Sequence, residues 1–132
     1  MPEEKRQQED LQPFIELQEK LAMNISFQQA VQQQLQRSMI STKRSELTLQ
    51  ELSSMSNSVP MYKQVGKAYF MAPMQQVVDE LKDDISGSQD EAKKLVQQRE
   101  HADKAIRATE AEIQELMKAH PEAVKQLAAM GS

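Results

Sequence analysis

The chain has 132 residues, enough for one domain, but only 39% are apolar and 4% aromatic, with no Trp, so a thick globular core is excluded. Its 16 basic and 20 acidic residues are interspersed and leave a net charge of −4; this excludes the clustered basic face of a nucleic-acid binder, for which Lys43-Arg44 is far too little. No cysteine is present, which excludes disulfides and thiolate metal sites.

Gln, Glu, Lys, Ala and Leu dominate, the composition of long exposed helices with a narrow apolar seam. Such a chain is expected to be elongated and oligomeric. The opening "MPEEKRQQED" lacks the apolar centre of a signal peptide. No run reaches the roughly 18 apolar residues of a membrane span. Asn24-Ile25-Ser26 fits the glycosylation pattern, but without a secretory signal it reads as an ordinary helical segment. The expectation is a soluble protein of a reducing, cytosol-like compartment, without membrane or nucleic-acid partners.

The first predicted element is a helix over about residues 10–45. Leu11, Phe14, Leu21, Ile25, Leu35 and Met39 follow steps of four and three, Gln18, Gln28 and Gln32 fill the gaps, and Leu17 and Val31 widen the stripe. Pro13 is acceptable in a first turn, so the regular helix is expected to begin near residues 10–13. It is expected to fade near residues 41–45.

A connector over about residues 46–72 follows. In "TKRSELTLQELSSMS", Thr48 stands three residues before Glu51, the capping-box arrangement. This predicts a short helix near residues 49–55. "VPMYKQVGKAYFMAP" then holds both tyrosines and two runs of β-branched, aromatic and Met residues around Gly66. It predicts a β-hairpin with Gly66 supplying positive φ, and Pro60 at the start or free edge of its strand. One two-stranded hairpin in water is barely stable and has two unpaired edges. Strands from other subunits would satisfy those edges in a shared sheet or barrel. The hairpin therefore reads as an assembly device rather than as a loop packed on the helices.

The second long helix is predicted over about residues 73–120, with Pro73 in its first turn. Met74, Val78, Leu81, Ile85, Ser88, Ala92 and Leu95 begin a four-three rhythm, and Arg99, Ala102, Ile106, Thr109, Ile113, Leu116 and His120 continue it. Ten of the fourteen are apolar, which specifies a coiled-coil seam. Two such helices joined by about thirty residues predict an antiparallel coiled coil with both termini at one end. Ser86-Gly87-Ser88 weakens it, since helical Gly costs about 1 kcal/mol relative to Ala. The tail, residues 121–132, carries Val124, Leu127 and Met130 with little charge.

Catalytic and metal chemistry finds no footing. His101 and His120 are nineteen residues apart on one helix, roughly 28 Å, so they share no metal. Asp79-Glu80 and Asp83-Asp84 sit on a solvated face without an apolar pocket. No phosphate loop or nucleophile elbow exists, and no cofactor is expected. The informative groups are at the helix ends: Leu11, Phe14 and Ile15, with Val124, Leu127 and Met130, form either a soft apolar tip for varied partners or the last turns of the seam.

The order helix, "LTLQEL", "MYKQVGKAYF" hairpin, helix resembles a β-class prefoldin subunit. The Tyr62-x-x-Val65-Gly66-Lys67-x-x-Phe70 spacing and "FIELQEKL" carry the likeness, over roughly residues 10–120. The resemblance implies a heterohexamer of α- and β-class subunits around a double β-barrel, holding unfolded actin and tubulin without ATP for the cytosolic group II chaperonin, a nuclear pool being compatible. It would assign assembly to Val59, Met61, Tyr62, Val65, Gly66, Tyr69 and Phe70. Client contact would fall to Leu11, Phe14, Ile15, Leu116, Met117, Val124 and Leu127. The rival expectation is a structural coiled-coil oligomer or scaffold subunit that holds no clients.

Overall fold

A computed structural model describes residues 2–130, with side chains from Leu11 onward except Leu127 and Met130. The fold is mostly α. Helix α1 is Pro2–Ser53, strands β1 (Met61–Val65) and β2 (Ala68–Ala72) follow, then α2 (Met74–Ala119) and α3 (Pro121–Met130). The chain forms two compact units, one of Met1–Val31 with Gln98–Ser132 and one of Gln32–Gln97.

Helix α1 differs from expectation at both ends. It begins at Pro2 and contains Pro13, whose ring is exposed while Leu11 and Phe14 on either side are buried. Burial of those neighbours offsets the backbone hydrogen bond that Pro13 cannot donate. At the other end the helix does not fade near residues 41–45, and no separate short helix follows. Thr42 and Thr48 direct their hydroxyls back to the Ser38 and Arg44 carbonyls at 3.0 and 2.9 Å, so Thr48 is an interior helical residue rather than a cap. Residues 49–53 are helical, as part of α1. The helix stops where Ser54 N and Met55 N bond the Glu51 and Leu52 carbonyls at 3.3 and 3.1 Å, the tighter three-residue closure of a last turn.

In the unit containing the chain's two ends, α1 and α2 run antiparallel: Leu11 and Phe14 lie with Leu116, and further along Gln28 donates to Asp103. The inward residues of α1 are Leu11, Phe14, Leu17, Leu21, Asn24, Gln28 and Val31, while Gln18 and Ile25 face outward. Opposite them α2 turns in Ala102, Ile106, Thr109, Ile113 and Leu116. Thr109, 1% exposed, satisfies its buried hydroxyl on the Ala105 carbonyl at 2.8 Å. His120 is exposed, and Pro121 opens α3 directly after it.

In the unit containing the hairpin the seam of α1 continues through Leu35, Ser38, Thr42, Ser45, Leu49 and Leu52. Met39, expected inside, is 60% exposed. Leu95, Ala92, Ser88, Ile85 and Leu81 form the facing stripe of α2. Here Ser38 Oγ donates to the Ser88 carbonyl at 3.0 Å, and Gln34 Nε2 donates to Glu91 Oε1 at 3.3 Å. At Ser88 a side chain of one helix thus reaches the backbone of the other.

Candidate functional site

The hairpin pairs Met61 with Ala72, Tyr62 with Met71, Lys63 with Phe70, Gln64 with Tyr69 and Val65 with Ala68. Its loop is the two residues Gly66-Lys67. Gly66 has φ +63° and no non-Gly residue among the described residues has positive φ, so only the first central residue is left-handed, the type II′ pattern whose twist matches the strands. A two-residue turn makes Val65 and Ala68 a hydrogen-bonded pair. By alternation Tyr62, Gln64, Tyr69 and Met71 then point their main-chain N–H and C=O groups outward along the two edges.

Pairing also sorts the side chains by face. Met61, Ala72, Lys63, Phe70, Val65 and Ala68 share one face, and Tyr62, Met71, Gln64 and Tyr69 the other. The first face is anchored at its base: Ala72 is buried and Met61 half-buried, and Lys63 Nζ lies 2.8 Å from Glu80 Oε2 of α2. The hydrogen bond from Lys63, with a second from Gln76, holds the Glu80 carboxyl below the usual carboxylate range. Beyond that base no described residue covers the ribbon. Tyr62, Val65, Tyr69, Phe70 and Met71 are each more than half exposed, and Val59 is also exposed.

Six of the seven residues expected to mediate assembly, Met61, Tyr62, Val65, Gly66, Tyr69 and Phe70, are therefore brought together on one small ribbon, while Val59 lies in the turn just before it, where its N–H bonds the Ser56 carbonyl at 3.1 Å. Met71 belongs with them, and its pairing with Tyr62 was legible only once the turn was fixed. Lys63 and Glu80, which tie the ribbon to α2, carried no local sequence signal because they are seventeen positions apart.

The residues expected at the tip divide. Leu11 and Phe14, 8% and 1% exposed, form a buried cluster with Ala123, and Leu116 and Val124 pack against it. Ile15 and Met117, 38% and 39% exposed, face outward. Leu127 and Met130 have side chains outside the described residues. Ala123 is the member that sequence reading missed; it is small, and it lies beyond Pro121, where the seam was expected to end. No group of His, Asp and Glu among the described residues could hold a metal ion. No described helix is long and apolar enough to cross a membrane.

Two long helices separated in sequence by one exposed, two-stranded β-hairpin define the class: a mostly helical chain with a hairpin that no described residue covers beyond its base. The chain belongs to the prefoldin subunit family, whose family model matches residues 8–120. It is 31% identical to the probable prefoldin subunit 1 of Dictyostelium discoideum over 109 residues, 83% of this chain and 95% of that protein. The crystal structure of the prefoldin β subunit from Thermococcus strain KS-1 superposes with a TM-score of 0.63 at 25% identity, covering 76% of this chain and 90% of that one.

Proposed function

We propose that the chain is an ATP-independent holdase subunit of a heterohexameric prefoldin in the cytosol, in the β-class place of a subunit 1. The two compact units are read as one prefoldin domain, since the family model spans both. The observation that carries the reading is the uncovered hairpin: five large side chains and two open edges call for neighbouring strands. Val59, Met61, Tyr62, Val65, Gly66, Tyr69 and Phe70 would complete a double β-barrel with α- and β-class partners. The helix ends would hold non-native chains of the actin and tubulin type for transfer to a group II chaperonin. Weak apolar contacts suffice there, because several subunits hold one client at high effective concentration.

Mixing the chain with the other subunits of a prefoldin and weighing the product by native mass spectrometry tests the assembly. One copy or more in a hexamer is expected, and a chain that ignores all five partners sinks the reading. The burial of Leu11 and Phe14 favours the rival reading of a scaffold subunit without client holding. Suppression of aggregation of denatured actin by the assembled hexamer separates the two.

A further inference from the structure

In the unit that contains both chain ends, α1 and α2 leave an open groove of about 770 Å³. Its apolar surface comes from Pro13 and Leu17 of α1 and from Ala111, Leu116 and Ala119 of α2. Leu17 and Leu116 are half-buried, so their remaining surface is presented to the groove, while the alanines leave room beside them. An apolar floor of this size takes the side chains of a short extended or helical segment.

The rim is charged unevenly. Glu16, Glu112 and Glu115 line it, against the single cation Lys20. Glu112 and Glu115, three apart, stand on one face of α2, and Glu16 stands on α1. None of the three carboxylates forms an ion pair with a described residue; Glu16 accepts only the Gln12 amide at 3.5 Å. Among the described lining residues, the groove thus offers an apolar floor bordered by three carboxylates and one ammonium.

We propose that this groove is a client subsite for short apolar segments flanked by Lys or Arg, and that it discriminates against the same segments flanked by Asp or Glu. The inference rests on the client-holding reading and gives it a substrate class. The apolar centre lies over Leu17 and Leu116, and the flanking cations reach Glu112 and Glu115 on one side and Glu16 on the other. Exposed ion pairs of this kind are individually weak and screened by salt, so the charges set preference while the floor supplies affinity.

The test uses the full-length chain and two fluorescent peptides with one apolar centre, flanked by lysines or by glutamates. Anisotropy titrations at low and high salt are expected to give about 5-fold tighter binding of the Lys-flanked peptide at low salt, with the preference lost at high salt. The variant E16K/E112K/E115K, checked for unchanged helicity by circular dichroism, is expected to reverse the preference. Equal binding of both peptides overturns the inference, as does a preference that survives in the triple variant. Self-association of the chain that the triple variant abolishes also overturns it, in favour of a second copy as occupant. Failure to bind either peptide while the hexamer still suppresses actin aggregation overturns the inference alone. Failure in both assays removes the client-holding reading with it.

Discussion

The Lys63 ammonium lies 2.8 Å from the Glu80 carboxylate and ties the first strand of the hairpin to α2. The bond holds the carboxyl below its usual range in the folded chain. A carboxyl whose folded pKa is depressed stabilises the fold above its unfolded pKa, and that contribution disappears as pH falls through the folded value. Both groups are largely solvated, so the effect is small and salt-sensitive. Acid titration followed by NMR is expected to shift the Lys63 and Phe70 amide signals together below the usual Glu range. Glu80→Gln should remove that shift, and an unchanged titration in the variant would show that the ion pair does not couple strand to helix.

The turn gives a sharper expectation. A Cβ at Gly66 would meet nothing within 4 Å, so any penalty there is backbone conformation and not crowding. Gly66→Val places a β-branched residue at φ +63°, at a cost of about 1–3 kcal/mol. Gly66→Asn should cost less, since Asn enters positive φ more readily. Entry into a hexamer, weighed by native mass spectrometry, should fall in the order Gly, Asn, Val. Equal assembly by all three would place the turn's conformation outside the determinants of the interface.

What was legible in the sequence follows from where large apolar residues point. Helix α2 keeps Val, Leu and Ile on its inner stripe, and its seam positions stand out. Helix α1 does not: Asn24, Gln28, Ser38, Thr42 and Ser45 face inward, whereas Met23, Phe27, Met39 and Ile40 are exposed. Ranking positions by side-chain hydrophobicity therefore selected Ile25 and Met39, off the true stripe. Three of these inward polar residues are tolerated because they find partners, Gln28 at Asp103, Ser38 at the Ser88 carbonyl and Thr42 at the Ser38 carbonyl. The end of α1 was hidden for a related reason. A threonine hydroxyl can cap a helix or bond the carbonyl four residues back, and residue order alone does not choose between them. The hairpin was readable because Gly66, flanked by β-branched and aromatic runs, has few alternatives.

The tip residues, treated as one patch by their sequence positions, should separate by experiment. Phe14 is 1% exposed and Ile15 is 38% exposed, although they are adjacent. Phe14→Ala leaves a cavity beside Leu11 and Ala123 and is expected to cost about 3 kcal/mol. It should lower the melting temperature by circular dichroism. Ile15→Ser with Met117→Ser removes only surface apolar area, so melting should be unchanged while suppression of actin aggregation by the hexamer weakens. A double variant that holds clients as well as the parent would take Ile15 and Met117 out of the contact surface.

Helix α3 bears on the same cluster from the other side. Ala123 is buried with Leu11 and Phe14, and Val124 packs against them, so deleting residues 121–132 uncovers two large side chains that the intact chain shields. Pro121 lacks an N–H, although His120 N still bonds the Leu116 carbonyl at 3.0 Å and Val124 N the His120 carbonyl at 3.4 Å. The ladder therefore misses a rung where α3 begins, and this is where the segment would part from α2. The deletion is expected to lower the melting temperature and to raise the fluorescence of an apolar-surface dye, with the secondary-structure spectrum otherwise retained. Ala123→Asp, which puts a carboxylate into the cluster, should reproduce the dye response without shortening the chain. If neither variant raises it, Leu11 and Phe14 remain covered by something other than α3. If both do, the same variants in the assembled hexamer measure client holding with the cluster open.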